Sequence, residues 1–292
     1  MYSDRGLINK LMMKFDRMFC TKLLESSFRK LPETLVQSAR DVVLLYTKTY
    51  RTPSKSAIKI LTDDVKKDAF WSAYFKDIPN AKRAGIIFEF IFVDLDSNKP
   101  CTVKVVIVYG NTANSFGFYD RSTSFMVLFH ESIKELSDIE IESVIIHEIT
   151  HGFQQYTQQS PEYIKAVDNM QKNKTYSKYA YYTEPIETDA QMTELNYRIK
   201  REYDKRTDDI QKSVWPETKK IFTKKLRKFL LELKLFINSD LKSYINYEEL
   251  PLPEFISLHK DFLTIIRKSP ILQKKLKKSL ANLYVDITGV FP

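Results

Sequence analysis

Apolar side chains recur at helical spacing from residue 4 to residue 30, where Leu7, Leu11, Phe15, Met18 and the positions beside them form one stripe, so the N-terminus predicts an amphipathic helix. Pro32 suits a first helical turn, and Val36, Ala39, Val42 and Val43 carry the same period into a second helix ending near Tyr50. A third is predicted over 56–75. The pattern changes at Ala84: IIFEFIFVDLD and CTVKVVIVYG are rich in β-branched and aromatic residues and are separated by the turn-forming cluster Asp96 to Pro100, which predicts a β-hairpin. NTANSFGFYDRS then reads as a polar loop, and Ser124 to Phe129 as a third strand. A helix follows over about 138–157, with Ser137 or Asp138 as its cap, Glu140 and Glu142 near its positive end, and Ile141, Val144, Ile145 and Ile149 as its apolar face. Residues 160–182 are polar and Tyr-rich, a loop with short helical pieces. Pro185 opens a helix to about Lys205, and amphipathic patterns over 218–238 and 271–284 follow. The fold class is α+β, in three regions: N-terminal helices (1–83), a core with the strands (84–205), and C-terminal helices (206–292).

Composition narrows the classes. In 292 residues, 43% hydrophobic and 13% aromatic content excludes a disordered chain, and 6 Gly with 11 Pro excludes linker-like organisation. The best apolar run, Ile86 to Val93, is broken by Glu89 and falls short of the ~18 residues that span a bilayer. The first twenty residues mix charged with apolar side chains and lack the continuous apolar stretch of a secretion signal, so a cytoplasmic or otherwise intracellular setting, a virion included, is expected. Cys20 and Cys101 read as buried free thiols in a reducing compartment. The net charge of +9 is C-terminal: residues 198–292 hold 21 Lys+Arg against 12 Asp+Glu, and residues 1–197 hold 25 of each. Lys219, Lys220, Lys224, Lys225, Arg227 and Lys228 share one predicted helix, and Lys274, Lys275, Lys277 and Lys278 another. Such clusters meet phosphate backbones, anionic membranes or acidic proteins. Both helices also keep an apolar stripe, so the lysines read first as solvated faces, and nucleic acid is the lesser candidate partner.

His147-Glu148-Ile149-Thr150-His151 is an H-E-x-x-H motif on the 138–157 helix. Spacing of i and i+4 puts two imidazoles on one face, about 5–6 Å apart at Cβ, near enough to share a metal ion, with the Glu148 carboxylate beside them as a general base. Left without partners, two buried imidazoles and a carboxylate cost about 1–3 kcal/mol each, which makes a purely structural role a poor alternative. A catalytic zinc takes three protein ligands. The positions that supply a third histidine in the longer H-E-x-x-H-x-x-G-x-x-H motif are Gln154 and Thr157; His130 follows a strand, and His259 lies among surface-like residues. A carboxylate is therefore expected, and Glu187, in the first turns of the helix after Pro185, is the candidate, with Glu184 and Asp189 as competitors. Asp189 and Glu194 are candidates to accept the second N–H of a liganding imidazole.

H-E-I-T-H followed 36 residues later by Glu187 in E-P-I-E-T-D-A resembles the zincin metallopeptidases of the gluzincin-like group, in which a second helix delivers a glutamate to the metal. The resemblance covers about residues 84–205, and its flanks match no family pattern. It implies a zincin-like core of a small antiparallel or mixed sheet with a motif helix and a third-ligand helix, Zn2+ bound by His147, His151 and Glu187, and peptide-bond hydrolysis by a metal-activated water with Glu148 as base. The substrate is then a protein or peptide. Tyr182, or its neighbour Tyr181, is the candidate donor to the oxyanion. The strand Ser124 to Phe129 is expected at the sheet edge beside the cleft, where an extended substrate pairs with it. The competing class is a zincin-fold module without catalysis, docked through its basic helices to nucleic acid or a protein assembly.

Overall fold

A computed structural model describes residues 31–52, 83–93, 98–110, 115–157, 184–239, 259–266 and 268–292. The helices predicted over 4–30 and 56–75, the loop at 160–182 and Cys20 lie outside these residues.

Pro32 precedes α1 (Glu33–Leu45), which continues as a widened turn of π-helix over Tyr46–Tyr50. Four strands follow: β1 (Arg83–Val93), β2 (Pro100–Tyr109), β3 (Gly117–Asp120) and β4 (Phe125–Phe129). As expected, β1 and β2 pair antiparallel. The sheet order is β1-β2-β4-β3: β4 runs parallel to β2, and β3 pairs antiparallel to β4. Two expectations are corrected here. The stretch read as a polar loop contains β3, and the strand expected at the sheet edge is internal. β4 is buried along its whole length: its backbone is paired on both edges, by β2 and by β3, and FMVLF carries apolar groups to both faces of the sheet. β3, with Gly117 and Asp120 at its ends and half-buried throughout, takes the edge. A Cβ at Gly117 would stand 2.4 Å from the Val127 carbonyl oxygen, so only glycine allows the two strands this approach.

After the short α2 (His130–Ile133) comes α3 (Asp138–Thr157), whose start is a capping box. The Ser137 N–H donates to Glu140 Oε2 (2.8 Å), and the Glu140 N–H donates back to Ser137 Oγ (3.4 Å). Ile141, Ile145, Ile146 and Ile149 join Val103, Val105, Ile107, Met126 and Leu128 of the sheet in one core, closed by Val42, Val43 and Tyr46 of the N-terminal helix. Gly152 lets α3 lie close to the strands: a Cβ there would be 3.3 Å from Val103 Cγ2 and 3.6 Å from Phe92 Cζ. Cys101 is a free thiol, half-buried where full burial is expected.

The C-terminal part is helical: α4 (Pro185–Lys212), α5 (Pro216–Asn238), α6 (Lys260–Ile266) and α7 (Pro270–Thr288). α4 runs seven residues past its expected end and packs against the motif helix α3 on one side and against α5 and α7 on the other. Described residues from Leu31 onward belong to one compact unit.

Candidate metal centre

The isoleucines of α3 occupy the sheet side, which leaves His147 and His151, one turn apart, on the side that faces α4. Their rings stand edge-on with centroids 5.0 Å apart. Glu187 reaches them from the first turn of α4, where Pro185 begins the helix. Its Oε1 lies 3.2 Å from His147 Nε2 and its Oε2 lies 3.4 Å from His151 Nε2. Among the described residues these three side chains form the group able to hold a metal ion, with ligand atoms all within 4.8 Å of one another. Neither competitor belongs to that group. Asp189 instead accepts from Lys275 of α7 at 3.2 Å, and Glu184 is the residue that precedes the first turn of α4.

The geometry fits an ion. Bonds of about 2.0–2.2 Å in a tetrahedron separate neighbouring ligand atoms by about 3.3–3.6 Å, close to the two imidazole–carboxylate distances. Glu187 is 1% exposed, and its Oε2 is a buried oxygen with no hydrogen bond. A cation held between Glu187 and the two imidazoles would satisfy that oxygen.

The surroundings orient the ligands. His151 Nδ1 donates to Gln154 Oε1 (3.1 Å), and the Gln154 amide nitrogen donates to the Ile186 carbonyl (3.0 Å), tying α3 to the start of α4 and leaving the lone pair of His151 Nε2 aimed at Glu187. His147 Nδ1 faces Glu194 Oε2 at 3.3 Å, so of the two expected imidazole partners it is Glu194 that takes the part. Gln191 donates to Glu187 Oε1 (3.1 Å). Glu194 also lies 3.8 Å from Arg198 Nε and 3.9 Å from His259 Nε2. His259 is therefore not at the surface, as expected from its neighbours, but 4% exposed behind the site.

Without an ion, charge is shared within this buried set. Burial opposes a charge on His147, but Glu187 and Glu194 on its two nitrogens hold its pKa well above the ordinary imidazole value. Burial likewise works against the Glu187 carboxylate, and His147 with His151 holds it well below the usual range. Glu148 goes the other way: burial pushes it up, and the two imidazoles recover only part of the shift. Burial pushes Glu194 up too, and His259, His147 and Arg198 more than reverse it.

Tyr181 and Tyr182 lie outside the described residues. Gln154, Gln191 and His259 are contributors that sequence reasoning missed. Gln154 follows His151 by three positions and Gln191 follows Glu187 by four, so helical spacing alone put each beside its ligand. Comparison of the chain with models of known families, with curated proteins and with solved structures finds no match in any of the three.

Proposed function

We propose that the protein is a zinc-dependent peptidase whose metal is held by His147, His151 and Glu187. The observation that carries this reading is the meeting of two imidazole Nε2 atoms with both oxygens of one buried carboxylate, one of them without a hydrogen bond, beside a further acid at Glu148. Two nitrogens and one carboxylate are the donor set of many catalytic zinc sites, three protein ligands rather than four. When bound there, zinc supplies Lewis acidity, making water acidic near neutral pH and polarising a carbonyl.

The chain's own residues do the rest. Glu148, whose pKa burial raises, accepts a proton from the attacking water on its carboxylate and returns it to the departing amine. His147 and His151 remain neutral ligands fixed by Glu194 and Gln154. The side chains of His147, Glu148, His151 and Glu187 are all buried, Glu187 most completely at 1% exposed. The similarity of H-E-I-T-H and the later glutamate to gluzincin-like peptidases supports the same chemistry.

The test is Glu148→Gln. The variant keeps zinc at one equivalent by metal analysis and loses roughly 10²–10⁴-fold in cleavage of a denatured protein or peptide library. Wild-type cleavage that survives the substitution with zinc still bound removes the enzymatic reading; a wild-type chain that binds no zinc removes the metal itself.

A further inference from the structure

Far along the chain from the metal ligands, the turn between α4 and α5 exposes two apolar side chains, Val214 (87% exposed) and Trp215 (73%). From Lys212 to Lys234 there are eight basic and two acidic residues, a net +6. The helix that follows, α5, buries Phe229, Leu233, Phe236 and Ile237. Those positions fix which face is left outward. Lys220, Lys224, Arg227, Leu231 and Leu235 succeed one another at spacings of four, three, four and four, a single row on the opposite face, and all five are exposed. The row is basic at its first three positions and apolar at its last two.

We infer that this row and the Val214–Trp215 turn are a docking surface for an anionic lipid bilayer. Charge complementarity selects a phosphate-rich partner, and the apolar side chains select among such partners. A nucleic-acid backbone neutralises lysines but gives Val214, Leu231 and Leu235 nothing to bury against. A bilayer interface takes both: cations lie at the headgroup phosphates while Leu, Val and Trp enter the boundary with the acyl chains. Among the described residues no helix is long and apolar enough to cross a membrane. The association is independent of the metal centre and of the chemistry proposed there.

The experiment uses the full chain with Trp71→Phe, which leaves Trp215 as the single tryptophan. Titration with vesicles of phosphatidylcholine containing roughly 30% phosphatidylserine is expected to shift Trp215 emission to the blue, with association at least about tenfold tighter than to pure phosphatidylcholine. K220E/K224E/R227E lowers the association by about tenfold or more. V214S/W215S, which has no tryptophan left to report and is followed by vesicle co-sedimentation, abolishes the part that persists at high salt. All five positions are exposed, and circular dichroism verifies that the variants stay folded. Equal binding to both vesicle types, or no effect of the triple reversal, overturns the proposal. So does tighter binding to a duplex oligonucleotide without the emission shift, which would make the surface a nucleic-acid site. If a variant unfolds, the lipid comparison with Trp215 decides alone.

Discussion

Glu194→Gln isolates the support given to His147, one ligand of the proposed zinc, without removing a ligand. The side chain keeps its size, and its amide can still meet His147 Nδ1, now 3.3 Å from a carboxylate oxygen, but the negative charge is gone. Both partners are largely buried, with side-chain exposures of 9% and 15%, so solvent screens little of the effect. Replacing such an outer partner of a metal-bound imidazole typically lowers affinity 10–100-fold. Here Glu194 also serves Arg198 at 3.8 Å and His259 at 3.9 Å, so part of its charge is already answered. The expected loss is therefore in the lower part of that range, about 10–30-fold or roughly 1.4–2 kcal/mol. Arg198 keeps its hydrogen bond to Ser143 Oγ at 2.7 Å, which limits damage to the fold. Competition with a chromophoric chelator measures the zinc constant directly. Affinity within threefold of wild type, in a preparation where Glu187→Gln has lost the metal, refutes the orienting role of Glu194.

Zinc affinity is expected to rise with pH, because the ion displaces the proton that Glu187 and Glu194 hold on His147. That raised pKa makes the ion-free protein's charged His147 stabilising at pH values below the ordinary imidazole range, a contribution lost as pH rises through the folded-state value; zinc affinity then climbs about tenfold per unit over the same window and flattens above it. Titration calorimetry in buffers of different ionisation enthalpy counts the released proton, and zero release at pH 6 contradicts the assignment. Gly152→Val crowds Val103 and Phe92 and lifts α3 from the sheet, with an expected cost of about 1–3 kcal/mol in urea unfolding; an unchanged midpoint rejects the close approach. Tyr197 donates to Glu142 Oε2 at 2.5 Å, and burial together with that bond pushes its pKa up to about 12. Tyr197→Phe leaves Glu142 still held by Arg201 at 2.9 and 3.1 Å, so it costs only about 1–2 kcal/mol, whereas Arg201→Met leaves the buried carboxylate its Tyr197 bond but no counter-charge and costs about 3 kcal/mol or more; the reverse order in denaturation refutes this division of labour.

The motif helix was readable in full because every local signal agrees: a capping box at Ser137 and Glu140, isoleucines at helical spacing, and polar ligands on the remaining face. Pro185 marked the start of the third-ligand helix for an equally local reason. What escaped was decided by partners distant in sequence. β3 is four residues long with Gly and Asp at its ends, so propensity says loop, and only pairing with β4 makes it a strand. The parallel β2–β4 contact gives no signal in either segment, since apolar runs read alike at the edge and in the middle of a sheet. His259 looked superficial because its sequence neighbours read as surface residues; it is buried beside Phe262, Leu263 and Ile266, which are buried too. Asp189 and Glu194 were indistinguishable as imidazole partners until α7 brought Lys275 to one of them.

Because the two imidazoles sit on one helix and the carboxylate on the next, 36 residues beyond His151, a dication bound as proposed would also be a removable cross-link. Tying off a loop of that size restricts an unfolded chain by on the order of 3–4 kcal/mol, comparable to a disulfide, yet a chelator undoes it without a reductant. A protease nick anywhere between Thr157 and Glu184 then yields two fragments that stay clasped while the ion is present and lose that clasp when it is stripped away.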